Sequence, residues 1–184
     1  MASSADYEDI LQFWFSEGVV KLWFNSTPEF DHELREKYET VYRDALTGKY
    51  DSWMQAATGC LALIILFDQI PLNIYRGQKQ SFATEARARE VASHAILQSF
   101  DQQLNDAQKA FMYMPFMHSE SLEDQKRAVE LFENANLKNN IRFAHHHRSI
   151  IERFGRFPHR NRILGRESTE AELEYLQSKE AFLG

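Results

Sequence analysis

The sequence predicts an all-α fold of about eight helices, packed as antiparallel pairs in a stack or irregular bundle. Three observations lead there. Apolar residues recur at i, i+3 and i+4 through nearly all of the 184 residues. Capping residues stand where those stripes begin, and glycine or proline where they stop. No segment combines strand alternation with the turn chemistry of a hairpin. The length favours a single helical domain over 1–184, large enough to bury a core.

Each element has its own signal. Tyr7, Ile10, Leu11, Trp14 and Phe15 form one apolar stripe over 6–15. Thr27-Pro28 supplies a capping hydroxyl and then a first-turn proline. The helix it opens is expected to run to about Leu46, to bury Phe30, Leu34, Tyr38, Val41, Tyr42 and Leu46, and to end at Gly48. Cys60 to Ile70 is apolar almost all round with only Ile64 and Ile65 β-branched before its end, which predicts a central buried helix stopped by Pro71. Helices come next over about 84–99 and about 107–114, the second ending before Pro115. Ser121 and Asp124 make a capping-box variant for a helix that buries Leu122, Ala128, Val129 and Phe132. Asn139 or Asn140 can cap the next, which reaches Phe154 with Gly155 just beyond. Thr169 and Glu172 cap a last helix to about Ser178.

Composition excludes several functions. Hydrophobic residues are 43% and aromatics 13%, which argues against disorder. A net charge of −6 gives no overall field toward nucleic acid or anionic lipid, so neither is an expected partner. The longest unbroken apolar run, Cys60 to Phe67, falls far short of the roughly 20 residues that span a bilayer. The opening MASSADYEDI has no basic stretch followed by an apolar one, so no signal peptide is expected. One cysteine, Cys60, excludes an intrachain disulfide framework and points to a reducing, cytoplasmic setting, where it is inert core. No feature specifies an oligomeric state. The sequence has no glycine-rich phosphate loop, Gly-x-Ser-x-Gly elbow or Cys-x-x-Cys, so no cofactor is expected.

The charge is unevenly spread. Lys138 to Arg166 holds eight Lys and Arg against one acid, Glu152, a local +7 that leaves −13 for the rest. Five of those arginines fall between Arg153 and Arg166, around RFGRFPHRN. Arginine forks suit carboxylate and phosphate, Gly155 permits a sharp turn, and Pro158 stiffens the residues after it. The segment reads equally as an anion cradle and as a network paired with the chain's own acids, Asp68 or Glu120. His118-Ser-Glu120, with His147 and His159, offers ligands or an acid–base pair, but the spacing matches no zinc signature. Its plainer reading puts Glu120 at a helix start and His118 on a backbone carbonyl. His145, His146 and His147 point about 100° apart and cannot all face one ion; His147 shares a face with Ile151 and points inward. Asp68, Gln69, Asn73 and Arg76 come after the buried helix, where Asp68 opposes the helix dipole and needs a partner.

The stretches LALIILFDQIPLNIYRG, FMYMPFMHSESLEDQ and IIERFGRFPHRNRILGREST occur in that order. Together they resemble the bacterial domain of unknown function 924. The resemblance runs from ILQFWF to the last helix and implies a tetratricopeptide-like helical packing, with no established reaction. His147 matches a histidine of that family. Leu72 stands where its members often carry arginine, which weakens any required role for an arginine there.

Two function classes are open. In the first, His118, Glu120 and His159 act as catalytic groups and Arg76, His147, Arg156, Arg160 and Asn161 bind an anionic small molecule, with hydrolysis as the reaction class. Asp68, Gln69 and Asn73 are structural or part of that site, and no metal is assigned. In the second, the basic window clamps an acidic peptide in a tetratricopeptide-like interaction module. The polar motifs also read as a purely structural network.

Overall fold

The predicted caps at Thr27, Ser121 and Thr169 each hold the start of a helix. The structure is a computed structural model and describes residues 6–184. Helix α1 (Tyr7–Trp14) starts where the Asp6 carboxylate accepts the Glu8 N–H. A single turn, α2 (Glu17–Val20), precedes α3 (Pro28–Leu46), where the Thr27 hydroxyl accepts the Phe30 N–H at 3.2 Å. Each such cap contributes about 1 kcal/mol. Helix α4 (Ala57–Ile64) leads through one π turn (Ile65–Gln69) into α5 (Ile70–Ile74). Then come α6 (Glu85–Leu97), α7 (Asp106–Met117), α8 (Leu122–Asn134), α9 (Lys138–Phe154), the short α10 (Asn161–Leu164) and α11 (Glu170–Gln177). The described residues thus form an all-α bundle with rather more helical segments than the eight expected.

The chain divides into two compact units. The first comprises the chain up to Arg76 together with Gln80–Pro115. Its centre is α4, against which α1 and α6 pack. Cys60, Leu61, Ala62, Ile64, Ile65 and Leu66 have no exposed surface, as their unbroken hydrophobicity requires. Burial pushes the Cys60 thiol up to about 11. The continuous run Ala57–Ile74 is long and apolar enough to cross a membrane, yet 89% of it is buried inside the protein. Gly59 is required here because a Cβ would meet the Trp53 carbonyl oxygen at 2.1 Å.

Pro71 does not stop this helix as expected. It sits in the first turn of α5, just beyond the π turn. A proline there cannot donate to the carbonyl four residues back, that of Phe67. The Thr84 hydroxyl takes that carbonyl instead, at 2.6 Å. Pro115 likewise lies inside α7, two residues before its end, so little helix remains to be disrupted. Leu46 is exposed, and Ala45 holds the inward position on α3. Val41 is only half-buried.

The second unit comprises Gly77–Lys79 and Phe116–Gly184. Helix α8 is capped by Ser121, whose hydroxyl accepts the Asp124 N–H. Leu122 is exposed, while Gln125 is fully buried with its amide donating to the carbonyls of Met117 and Ser119. Helix α9 turns back against α8 through Ala135–Leu137. It starts at Lys138, with neither Asn139 nor Asn140 as its cap. Ile150, Ile151, Phe157 and Tyr175 form a buried cluster, with Phe154, Leu176 and Phe182 packed on it.

Candidate functional site

Gly155 ends α9 in the left-handed conformation, at φ 69°, with its N–H on the Ile151 carbonyl. The turn after it points its arginines in different directions. Arg156 donates from Nε and Nη2 to the two oxygens of Glu172, at 2.6 and 2.8 Å, and from Nη2 to the Glu167 carbonyl. Glu172 also accepts the Thr169 N–H at 2.7 Å and the Asn161 amide at 3.3 Å. It therefore closes the capping box of α11 and pairs with an arginine at once. Its pKa is held down to about 2, first by the Arg156 bonds, against the opposing effect of burial.

Glu120 does not cap α8. Its Oε1 accepts the Phe157 N–H at 2.8 Å, and Arg166 grips both oxygens, at 2.7 and 2.9 Å. Burial pushes this carboxyl up, but the bonds from Arg166 and Phe157 and the charges of Arg166 and Arg160 outweigh it. Its pKa lies below the ordinary carboxylate value. Arg166 also donates to the Asn161 side-chain oxygen and the Phe157 carbonyl, so Asn161 joins the two ion pairs into one network.

The histidines gather beside this network. Arg160 is buried, donates from Nη2 to the His118 carbonyl at 3.0 Å, and lies over the Phe157 ring at 4.7 Å. His147 is 4% exposed and its Nδ1 is 2.8 Å from the Phe143 carbonyl. A carbonyl only accepts, so Nδ1 carries the proton. Burial, then the charges of His118, His146 and His159, lower its pKa to about 3. His159 is lowered to about 4, first by burial and then by Arg160, and its Nδ1 is buried without a partner among the described residues. His145 is exposed and pairs with Glu133. No three His, Cys, Asp or Glu side chains among the described residues converge on a metal position.

The other candidates belong to the first unit. Asp68 is buried and accepts from the Gln69 amide at 2.6 Å. The Asn73 amide donates to the Gln69 carbonyl. Arg76 forms a fork on Asp31, at 2.6 and 3.1 Å, and reaches the Asn73 oxygen. This network secures α5 beside α3, and Arg35 donates to the Ile74 carbonyl at its end.

One open depression of about 590 Å³ in the second unit is lined by Arg153, Phe154, Arg156, Thr169, Ala171 and Glu172. The family described as a bacterial protein of unknown function, DUF924, has a model that matches residues 10–180. The chain belongs to this family. The solved protein of unknown function ATU0120 from Agrobacterium tumefaciens is 38% identical to this DUF924 chain, with a TM-score of 0.88. The match covers 93% of this chain and 96% of that one. No curated protein matches. In this DUF924 member, Arg153, on the depression, and Arg166, on Glu120, are basic residues of the 138–166 window that the sequence did not single out. The Arg153 guanidinium lies over the rings of Phe154, at 4.7 Å, and Tyr175, at 5.9 Å. The signal was local: Ser149, Ile150, Arg156 and Phe157 are its i±3 and i±4 neighbours, none of them acidic. Arg148, by contrast, has Glu152 at i+4 and pairs with it.

Proposed function

We propose that the second unit binds a small anion, a phosphate or carboxylate compound, in the depression beside Arg153. The observation that carries this reading is Arg153 itself. It is exposed, it is stacked on two rings, and it makes no ion pair among the described residues. Arg156 lines the same depression, and its charge answers the Glu172 carboxylate on the same wall, leaving Arg153 as the cation that faces an incoming anion. Arg156 and Asn161 support the site through Glu172, to which both donate, and Arg160 belongs to the adjoining network. Glu172 and the His118 carbonyl hold the two arginines in place, and Asn161 links the network together.

The reading is one of binding rather than hydrolysis. A general base must have an accessible lone pair near neutral pH. Both Glu120 oxygens are engaged by donors that hold it ionised, which argues against that role. The hairpin of α8 and α9 is the kind of helix pair from which tetratricopeptide-like stacks are built, and it supports placing the fold near them.

Calorimetric titration with inorganic phosphate, pyrophosphate and citrate tests the proposal. At least one should bind, and Arg153→Ala should weaken it by about tenfold or more, as loss of one charge-assisted contact predicts, while the melting temperature falls by no more than about 4 °C for the lost ring stacking. Equal binding by the unaltered and Arg153→Ala proteins, or no binding of any of the three, overturns it.

A further inference from the structure

Residues 178–184 leave α11 through a turn and then run without regular structure. They lie across the second unit as a strap. The Phe182 ring centre is 4.4 Å from that of His147 and 5.0 Å from that of His159. Phe182 also packs on the cluster of Ile150, Ile151, Phe157 and Tyr175. The Tyr175 hydroxyl accepts the Phe182 N–H at 2.9 Å and donates to the Glu180 carbonyl at 3.4 Å. Gly184 rests against His159, where a Cβ would come within 3.1 Å of the ring. Lys179, Glu180 and Leu183 face solvent.

This is the contact pattern of a bound peptide. One ring fills a socket, one hydroxyl reads the backbone just before it, and the side chains of Glu180 and Leu183 on either side face solvent. Recognition of extended segments divides in the same way between backbone bonds and side-chain pockets. The walls suit an aromatic occupant. The Phe157 ring meets that of His147 in a T-shaped contact at 5.6 Å and lies tilted against that of His159 at 5.7 Å. Burial keeps both imidazoles uncharged, so they offer flat aromatic surface rather than cations. The buried Nδ1 of His159, unpartnered among the described residues, leaves one hydrogen-bonding position that the strap does not use.

We propose that the socket of His147, Phe157, His159 and Tyr175 is a binding site for an extended peptide segment presenting phenylalanine, and that residues 178–184 occupy it as a built-in competitor. The short tether from α11 gives the strap a millimolar effective concentration, so a partner segment must bind more tightly than the strap or meet the site while the strap is lifted. The proposal does not rest on the anion reading, although the Tyr175 ring is common to both places.

The test uses a fluorescein-labelled SKEAFLG peptide, the sequence of 178–184, added to the full chain carrying Phe182→Ala. The labelled peptide should bind saturably and be displaced by the unlabelled one, and the SKEAALG peptide should not bind. The unaltered chain should bind it at least about tenfold more weakly, because its own strap competes. No binding to the variant, equal binding of the alanine peptide, or equal binding by the two proteins refutes the proposal. If Phe182→Ala does not fold, amide hydrogen exchange on the unaltered chain decides. The Phe182 amide should exchange through local opening at least about a hundredfold faster than that of Ile151. Exchange at the same rate would mean that the strap lifts only on global unfolding, and the proposal fails.

Discussion

Replacing Glu172 by glutamine keeps the shape of the side chain and removes its charge. Three groups lose their anionic partner at once: the Arg156 guanidinium, the Thr169 N–H and the Asn161 amide. Glu172 is 2% exposed and the Arg156 side chain 28%, so the pair is largely withdrawn from water. Breaking a buried pair from one side costs about 3–5 kcal/mol, and the partial exposure of Arg156 places this case near about 3. For a chain of this size that corresponds to a fall in melting temperature of roughly 6–12 °C. Thr169→Ala removes only the capping hydroxyl and should cost about 1 kcal/mol. The pH dependence carries a sign. The folded pKa of Glu172 is lowered from 4.5 to about 2, so its contribution is complete above 4.5 and is lost as the pH falls from 4.5 toward 2. The gap between the two proteins, followed by thermal melts monitored by circular dichroism, should therefore be widest at pH 7 and close below pH 4.5. A Glu172→Gln melt within about 2 °C of the unaltered protein at pH 7, or a gap that is the same at pH 3, would refute the reasoning.

Three further outcomes are expected. Thr84→Val leaves the Phe67 carbonyl without its hydroxyl partner and should cost about 1–3 kcal/mol in urea unfolding, with Thr84→Ser restoring most of it. Gly59→Ala should destabilise the protein by more than about 1 kcal/mol, because the new methyl would overlap the Trp53 carbonyl oxygen, although alanine is the better helix former. His147 and His159 are lowered from 6.5 to about 3 and about 4, so the unfolded chain takes up their protons first. Stability measured in urea should fall as the pH drops from 6.5 to about 4, by about 1.4 kcal/mol per pH unit for each histidine, and His147→Gln should flatten that slope.

Much of the fold was legible because its signals are local. A capping hydroxyl and the N–H it serves are three residues apart, as in Thr27 with Phe30, Ser121 with Asp124 and Thr169 with Glu172. The apolar helix from Ala57 onward betrays itself by composition, because only an interior accepts a helix without a polar face. The errors fell where a distant group decides. Pro71 reads as a stop until the Thr84 hydroxyl, thirteen positions away, relieves the carbonyl it orphans. Leu122 reads as core by period, yet Gln125 is buried in α8 because two carbonyls near the end of α7 accept its amide. The choice between a ligand cradle and an internal network was open in the sequence for the same reason.

The sequence by itself determined the all-α class, most helix starts, the inward face of His147 and a cationic turn between Gly155 and Gly165. Those properties depend on spacings within one helical turn or on local charge, and no folding is needed to see them. Only the tertiary structure decided how the arginines divide. Glu120 takes Arg166, Glu172 takes Arg156, Arg160 turns to a carbonyl, and Arg153 remains on the surface over two rings. Glu172 lies 16 positions along the chain from its arginine and Glu120 lies 46 from its own. An ion pair depends on separation in space, which sequence distance does not fix.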